Sequence, residues 1–333
     1  QKQRLITAST LAMGQKIVIL DEPLANLDTA GAEMLMSTLK SLAKAGYCIV
    51  VIEHRLDVVL PFVDKVFHVG GKRVREIKDK ESYLKEQSVE ISDSCAVFCG
   101  GQPVFSLSDV AFSVKDRVIL NGVAFDILKG SRTVLFGENG CGKTTLLRLI
   151  SRLEKPTRGV ILQNISGKFG QKSKQSKKWY KKVGVVYQNP DYQLFMPTVE
   201  KEIKFGAKSD EYADEIAEKF GVKHLYVRHP QSLSEGQKRR VSIAAVVATA
   251  PEVLILDEPT VGQDYKGLCE MTEILNRIHE ETKNTMITVT HDKRCAAALC
   301  DRAVWIKDGK VRKTGGKELA EEFFKDPTGN AKN

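Results

Sequence analysis

The chain has 333 residues, 42% of them hydrophobic and 28% charged, with 51 lysines and arginines against 42 aspartates and glutamates. These proportions exclude a disordered or fibrous chain, and the length suggests about two domains. No apolar run approaches the roughly 20 residues of a membrane span, so we expect none. The seven cysteines lack a repeated spacing, which predicts reduced thiols in the cytosol.

Short aliphatic runs bounded by glycine, proline or charge alternate with helical periods along the chain. The predicted strands are 17–20, 49–52, 134–136, 183–187, 253–256 and 286–289. The clearest helical periods are Leu35, Leu39 and Leu42, ended by Gly46, and later Leu268, Met271, Leu275 and Ile278. Continuous apolar strands are typical of a sheet buried on both faces, so the alternation predicts a layered α/β fold.

An internal repeat organises the chain. Residues 19–23 read ILDEP and recur at 255–259, an offset of 236 that also relates QKQR at 1–4 to QKRR at 237–240. Asp28 and Asp264 share this offset, and His54 precedes His291 by 237. We therefore predict four segments: the last part of one repeat at 1–87, a linker at 88–103, a complete repeat at 104–325 and a tail at 326–333.

The strongest chemical signal is the segment GENGCGKTT at 137–145, between a predicted strand and an apolar helix. A glycine-rich turn in this position directs backbone N–H groups and a helix N-terminus at phosphate oxygens. Lys143 would add a charge on the β- and γ-phosphates, and the Thr144 hydroxyl a ligand for Mg²⁺. The candidate nucleotide-binding residues of this loop are Gly137, Asn139, Gly140, Cys141, Gly142, Lys143, Thr144 and Thr145.

Polar residues follow three further predicted strands. Asp257 and Glu258 come at the end of one, where the first carboxylate can bind Mg²⁺ and the second can polarise a water for attack on the γ-phosphate. His291 and Gln188 end two others. Taken alone, His291 and Gln188 would each be interpreted as ordinary polar residues at a strand end. Only the neighbouring motifs favour a contact with the γ-phosphate.

Residues 232–237 read SLSEGQ before a helix rich in small apolar residues. Ser234 is placed to cap that helix, whose free N–H groups could also bind a phosphate. The pattern alone is weak, and capping explains Ser234 at least as well as ligand binding does.

In chain order these segments resemble the ATP-binding-cassette (ABC) ATPase family. The matching motifs are Walker A (137–144), the Q-loop (Gln188), the signature LSEGQ (233–237), Walker B (255–258), the D-loop (Asp264) and the switch histidine (His291). Within that family, the sequence more closely resembles the tandem-cassette ATPases of energy-coupling-factor importers of the cobalt and vitamin type. The segments that carry this resemblance are DEPLANLD at 21–28, EHRLDVV at 53–59, YQNPDYQLFMPTVEKEIKFG at 187–206 and DEPTVGQD at 257–264.

The resemblance implies a P-loop NTPase fold: an α/β cassette with a mixed sheet, a helical subdomain and an antiparallel β part, here as a partial first cassette and a complete second one. It implies that Asp257, Thr144 and Gln188 hold Mg²⁺, that Glu258 is the general base, and that His291 and Gln188 sense the γ-phosphate. Ser234, Gly236 and Gln237 would contact nucleotide across a head-to-tail pair of cassettes, and Asp264 would couple the two.

The implied function is ATP hydrolysis that drives uptake of a small substrate of the vitamin or metal-ion class. The implied partners are integral membrane subunits, and the implied location is the cytoplasmic face of the cell membrane. Two other functions remain open: a soluble tandem ATPase acting on ribosomes, and a nucleotide-binding module without turnover.

The sequence departs from the family pattern at several positions. Glu235 stands where the signature usually has glycine, so its side chain must point away from the nucleotide. Val114 stands where an adenine-stacking aromatic is usual, and no platform for the base is assigned. Neither a P-loop nor a full signature precedes residues 21–28, so we expect a C-terminal fragment of a tandem protein, inactive or weak in isolation.

A lysine-rich stretch lies between the P-loop and the Q-loop. It could bind nucleic acid or anionic lipid, but a solvated connection is the favoured interpretation, and a nucleic-acid partner is not expected. Its residues are Lys168, Lys172, Lys174, Lys177, Lys178, Lys181 and Lys182, with Trp179 and Tyr180 among them.

Overall fold

Two units make up the fold, one within residues 1–90 and the other within 91–333. The computed structural model describes residues 15–24, 27, 29–53, 55–87, 101–165, 168–170, 177–263 and 265–325. The boundary between the units falls inside the predicted linker at 88–103, most of which lies outside the described residues, so the linker remains a prediction.

The first unit contains strand β1 (Ile17–Asp21), helix α1 (Thr29–Lys44), strand β2 (Cys48–Ile52), helix α2 (Leu56–Val59), strands β3 (Val66–Gly70) and β4 (Arg73–Ile77), and helix α3 (Lys80–Gln87). β1 and β2 are parallel, with Ile17 opposite Cys48, and β3 and β4 form an antiparallel hairpin. α1 ends as predicted before Gly46, which has a positive φ of 91° that favours glycine.

One face of the β1–β2 sheet is buried and the other is exposed. Val18 is buried, and Leu20 on the same face packs against a small core that includes Leu35 and Leu39 of α1. Ile19, which points to the opposite face, is 67% exposed, and Ile52 is 54% exposed. Successive residues of a strand point to opposite faces, so only half of this apolar sheet has a covering layer among the described residues.

The second unit opens with an antiparallel sheet. Its four strands are β5 (Pro103–Val114), β6 (Arg117–Leu128), β8 (Arg158–Ile165) and β9 (Lys168–Gly170). They lie in the sheet in the order β6-β5-β8-β9. Between β6 and β8 lie strand β7 (Arg132–Phe136) and helix α4 (Lys143–Ile150). Helix α5 (Lys177–Tyr180) leads to strand β10 (Val183–Val186), one residue shorter than predicted.

A helical part follows β10, with α6 (Val199–Lys204), α7 (Asp210–Lys219) and α8 (Glu235–Ala248). The chain then returns through strand β11 (Val253–Asp257), helix α9 (Tyr265–Thr282), strand β12 (Thr285–Val289), helix α10 (Lys293–Leu299), strands β13 (Arg302–Lys307) and β14 (Lys310–Gly315), and helix α11 (Lys317–Lys325). These strands form a mixed sheet in the order β10-β11-β12-β7-β13-β14, parallel except for β14.

The mixed sheet is buried on both faces, as its apolar strands predict. Every residue of β7, β11 and β12 is buried. Leu254 and Leu256 pack against the helical part, whereas Ile255 packs in the other core with α4 and the antiparallel sheet. None of the helices among the described residues has the length and apolarity of a membrane span.

A buried ion pair joins the entry of β7 to the end of α10. Arg132 and Asp301 are 5% and 4% exposed in their side chains, and Nη2 lies 2.6 Å from Oδ1. The Arg132 N–H also donates to Asp301, and its Nη1 donates to Asn276 Oδ1 on α9 at 2.6 Å. Because a buried charge needs several partners, this network fixes three elements at the edge opposite the P-loop.

The repeat supplies a matched test of packing. Ile19 and Ile255 occupy equivalent positions, but Ile255 is fully buried. Ile255→Ala should lower the free energy of unfolding by about 2–5 kcal/mol, and Ile19→Ala by less than about 1 kcal/mol. Native-state hydrogen exchange measures both, because it reports on each unit separately. An equally large loss at Ile19 would show that this face is covered in the protein.

Candidate active site

The carboxyl ends of four neighbouring strands carry the predicted residues. β10, β11, β12 and β7 are adjacent and parallel, so their ends meet at one edge of the sheet. Gln188 follows β10, Asp257 ends β11, His291 follows β12, and the glycine loop follows β7. This edge is where open α/β sheets bind ligands, since the connections leave a crevice there.

The glycine loop depends on close packing of its backbone. A Cβ on Gly137 would lie 2.1 Å from the carbonyl oxygen of Ile306, and one on Gly142 would lie 2.6 Å from a methyl of Leu120. Gly142 also has φ of 104° and is the N-cap residue of α4. Larger residues at either position would displace the loop. Asn139 and Gly140 are exposed at its tip, and Thr145 is half-buried.

Lys143 is held inside this loop. Its side chain is buried, and Nζ donates to the carbonyl oxygens of Gly137 at 2.7 Å and Glu138 at 2.9 Å. The Cys141 thiol is also buried, and its burial raises its pKa, with Lys143 acting in the opposite direction. The thiol is therefore protonated at neutral pH, and its side chain packs in the core beside the loop.

Asp257 faces the start of α4. The residue is 5% exposed, and its Oδ1 is buried with no hydrogen-bond partner among the described residues. Burial and the neighbouring Glu258 raise its pKa to about 6, against the Thr144 hydroxyl and Lys143, which stabilise the carboxylate. A hydroxyl beside a carboxylate with a spare oxygen is the donor set that Mg²⁺ prefers, so these residues fit the predicted metal.

Glu258 is directed at His291. Its Oε1 lies 2.7 Å from Nδ1 of the imidazole, and its Oε2 accepts the backbone N–H of His291 at 3.3 Å. The Glu258 side chain is 8% exposed, and its backbone has φ of 53°, unusual for a residue other than glycine. The turn after β11 is thus shaped so that the carboxylate reaches the histidine after β12.

Sequence reasoning missed the residue that fixes Gln188. Arg239 on α8 is 3% exposed, and its Nη1 donates to the carbonyl oxygen of Tyr187 at 2.8 Å. Its Nη2 donates to the carbonyl oxygen of Gln188. Basic residues on helices are usually exposed, so nothing in the local sequence indicated that this one is buried against a strand end.

The signature residues lie at the start of α8, in the helical part. Ser234 and Gln237 form a capping box: the Gln237 N–H donates to Ser234 Oγ at 3.3 Å, and the Ser234 N–H donates to Gln237 Oε1 at 3.2 Å. The capping interpretation is confirmed. Gln263 Nε2 donates to the Gly236 carbonyl oxygen at 3.1 Å. The exposed Glu235 carboxylate lies 3.3 Å from Lys238 Nζ.

Several predicted residues lie outside the described part of the chain. They are Asp264 and, in the first repeat, Asp28 and His54. Lys172 and Lys174 of the lysine-rich stretch are also outside it. Trp179 is buried and donates from Nε1 to Gln163 Oε1 at 2.8 Å, so this aromatic belongs to the core.

The raised pKa of Asp257 makes stability depend on pH. Between the ordinary pKa of 3.8 and about 6, the folded protein holds a proton that the unfolded chain releases. The free energy of unfolding therefore falls as the pH rises through this window, by about 3 kcal/mol in total. Asp257→Asn should stabilise the nucleotide-free protein at pH 8 and lose this advantage below about pH 4.

Urea unfolding at both pH values measures the effect, with Asp116→Asn in the exposed turn after β5 as the control. A stabilisation by Asp257→Asn that is the same at pH 4 and pH 8 would contradict the buried, ionising carboxylate.

Comparisons with known proteins show which proteins this chain is similar to. The ABC transporter family matches residues 120–261. A putative HMP/thiamine import ATP-binding protein of Bacillus subtilis (strain 168) is 31% identical over 350 residues, covering 92% of this chain and 63% of the relative. This chain thus spans less than two thirds of that relative's length.

Solved cassettes share the fold of the second unit. CbiO1 of Clostridium perfringens, described as part of the ABC transporter complex CbiONQ, is 31% identical with a TM-score of 0.58, covering 67% of this chain and 91% of that one. The cassette MJ0796, a dimer bound to ADP and Pi, is 26% identical with a TM-score of 0.56, covering 64% and 98%. The second unit therefore has the P-loop cassette fold, and the chain belongs to the ATP-binding proteins of ABC transporters.

Proposed function

We propose that this chain hydrolyses ATP to drive the uptake of a small substrate through an ABC importer of the energy-coupling-factor type. One observation carries the proposal. Lys143, Thr144, Asp257, Glu258 and His291 converge at one sheet edge, with a spare buried carboxylate oxygen and an oriented second carboxylate. A site built only to bind nucleotide has no use for Glu258 and His291 in this arrangement.

Lys143 and the glycine loop would bind the phosphates. In the nucleotide-free arrangement the Lys143 ammonium is satisfied by two loop carbonyls, which phosphate oxygens can replace as acceptors. The exposed loop tip and the N-terminus of the eight-residue helix α4 add backbone donors and a favourable dipole. On nucleotide binding, the Lys143 ammonium would thus exchange neutral carbonyl acceptors for charged phosphate oxygens.

Thr144, Asp257 and Gln188 would hold Mg²⁺. When bound, the ion supplies positive charge that offsets the charge developing on the phosphates. Asp257 has an oxygen free to coordinate, and Thr144 lies beside it. A buried carboxylate whose pKa is about 6 ionises near neutral pH, so binding of a cation would complete its ionisation.

Glu258 would act as the general base. Glu258 accepts the backbone N–H of His291 and hydrogen-bonds to Nδ1 of its ring, which fixes the carboxylate in one orientation. His291 would in turn contact the γ-phosphate through its imidazole ring. The water to be activated would lie between the carboxylate and the phosphate, within hydrogen-bond reach of Glu258.

Ser234, Gly236 and Gln237 would act on a second cassette. They lie at the start of α8, and Ser234 and Glu235 are exposed. Head-to-tail pairing would bring such a helix start to the phosphates of the partner's nucleotide, with Asp264 near the interface. The Glu235 carboxylate is paired with Lys238, which keeps its charge from facing a phosphate unscreened.

An aromatic cluster supports docking to a membrane subunit. In the segment after Gln188, Tyr192 is 79% exposed and Phe195 is 67% exposed, and Phe195 meets Phe205 edge to face with ring centroids 5.4 Å apart. Exposed aromatic groups of this kind mark interaction sites. A membrane partner would place the protein on the cytoplasmic face of the membrane. The HMP/thiamine import named for the Bacillus relative supports a small organic substrate.

The base assignment is tested by Glu258→Gln in the purified protein paired with a second cassette. Because the amide cannot accept a proton, kcat for ATP should fall by at least about 100-fold while ATP binding is retained. Lys143→Ala should instead weaken ATP binding, because it removes the ammonium group that would bind the phosphate oxygens. Glu270→Gln, at a surface ion pair, is the matched control and should leave both unchanged.

Turnover at the wild-type rate in Glu258→Gln would refute the base assignment. ATP binding with no turnover in the wild-type protein, even when it is paired with a second cassette, would favour the non-catalytic module instead. Co-sedimentation with ribosomes rather than with membranes would contradict the transport role.

A further inference from the structure

Arg239 is a buried cation that the chemistry described so far does not use. It lies on α8, five residues after the capping Ser234, and its side chain reaches back to the strand end at β10. Burying a guanidinium costs free energy unless its donors are satisfied. Here two donors bind the carbonyl oxygens of Tyr187 and Gln188, whereas Nε is buried without a hydrogen-bond partner among the described residues.

The charge of Arg239 is felt in the nucleotide site. Burial lowers the pKa of its guanidinium, and the carboxylates of Glu258, Glu235 and Asp257 oppose that shift. Arg239 in turn lowers the pKa of Asp257. One side chain therefore interacts with the end of β10, with the carboxylates after β11, and with the start of the helix on which it lies.

The segment after β10 is held on both sides. Gln193 donates from Nε2 to the Val185 carbonyl oxygen at 2.7 Å and accepts the Tyr187 N–H at 2.9 Å, which closes the loop on its own strand. Lys238, next to Arg239, pairs with Asp191 at 2.9 Å near the surface. Because Arg239 makes the buried link, a displacement of α8 is transmitted to the backbone of Gln188.

We propose that Arg239 is a positioning residue that couples the signature helix α8 to Gln188 in the same cassette. The proposal rests on the proposed function, in which Gln188 contacts the metal and the γ-phosphate. When α8 moves to close on a partner's nucleotide, Arg239 shifts the Gln188 backbone. The state of one composite site is thereby communicated to the other through two hydrogen bonds to carbonyls.

The test compares Arg239→Gln and Arg239→Lys with Arg240→Gln in the purified protein. Arg240 is the neighbouring basic residue and pairs with Glu270 at 2.6 Å on the helix surface, so it controls for loss of charge on α8. Arg239→Lys keeps the charge, but a single ammonium cannot reproduce the two-pronged guanidinium. The readouts are hydrogen exchange of residues 183–193 without nucleotide, the Mg²⁺ concentration for half-maximal turnover, and kcat and KM for ATP.

Arg239→Gln should raise exchange of the segment and the half-maximal Mg²⁺ concentration about tenfold each, with Arg239→Lys intermediate. kcat should fall about tenfold while KM for ATP changes by less than about threefold, since Gln188 acts after nucleotide has bound. Arg240→Gln should match the wild type. A loss of thermal stability alone does not produce this combination.

Wild-type exchange and wild-type Mg²⁺ dependence in Arg239→Gln would overturn the proposal. If that variant does not fold, wild-type values in Arg239→Lys overturn it equally. A wild-type protein without ATP turnover even when it is paired with a second cassette would refute the proposed function, whereas the exchange measurement would still show whether Arg239 holds Gln188.

Discussion

Two adjacent buried carboxylates, Asp257 and Glu258, impose the constraint on which the site depends. Burial of a carboxylate costs several kcal/mol, and like charges at neighbouring positions add to that cost. The surrounding residues offset it in different ways. Thr144 and Lys143 stabilise an ionised Asp257, and His291 holds Glu258 through its ring and its backbone N–H. The part of the burial cost that these residues do not offset raises the pKa of Asp257.

The parallel sheet makes this arrangement possible. Because β11 lies between β10 and β12, and β7 lies beside β12, the loops after these four strands begin at one edge of the sheet. The strands are buried on both faces, so their ends are rigid, and the loops they carry are positioned by the core. The first unit repeats β11 and β12 as β1 and β2, but Ile19 and Ile52 leave one sheet face exposed there.

The sequence predicts most of the site because each motif follows an apolar strand. The loop at 137–145, Asp257 with Glu258, and His291 could all be assigned to strand ends, and the parallel sheet then brings those ends together. The capping role of Ser234 was also predictable, since Gln237 completes the capping box. Hydrophobic spacing likewise gave the α/β layers and the end of α1 at Gly46.

The rest depends on contacts between residues far apart in the chain. Arg239 is buried only because the carbonyls of Tyr187 and Gln188, about fifty positions earlier, accept its donors. The exposed face of β1 and β2 could not be predicted either, because the same apolar residues are buried at the equivalent positions of the second unit. Periodicity shows which side chains share a face, and packing decides whether that face is covered.

The central claim is that Asp257 and Thr144 hold a metal ion beside the nucleotide bound by Lys143. Electron paramagnetic resonance with Mn²⁺ in place of Mg²⁺ tests it directly, in the presence of a non-hydrolysable ATP analogue. The protein should bind Mn²⁺ together with the analogue, and Asp257→Ala should lower the affinity for Mn²⁺ by at least about tenfold while the analogue still binds. Unchanged Mn²⁺ binding in Asp257→Ala would contradict it.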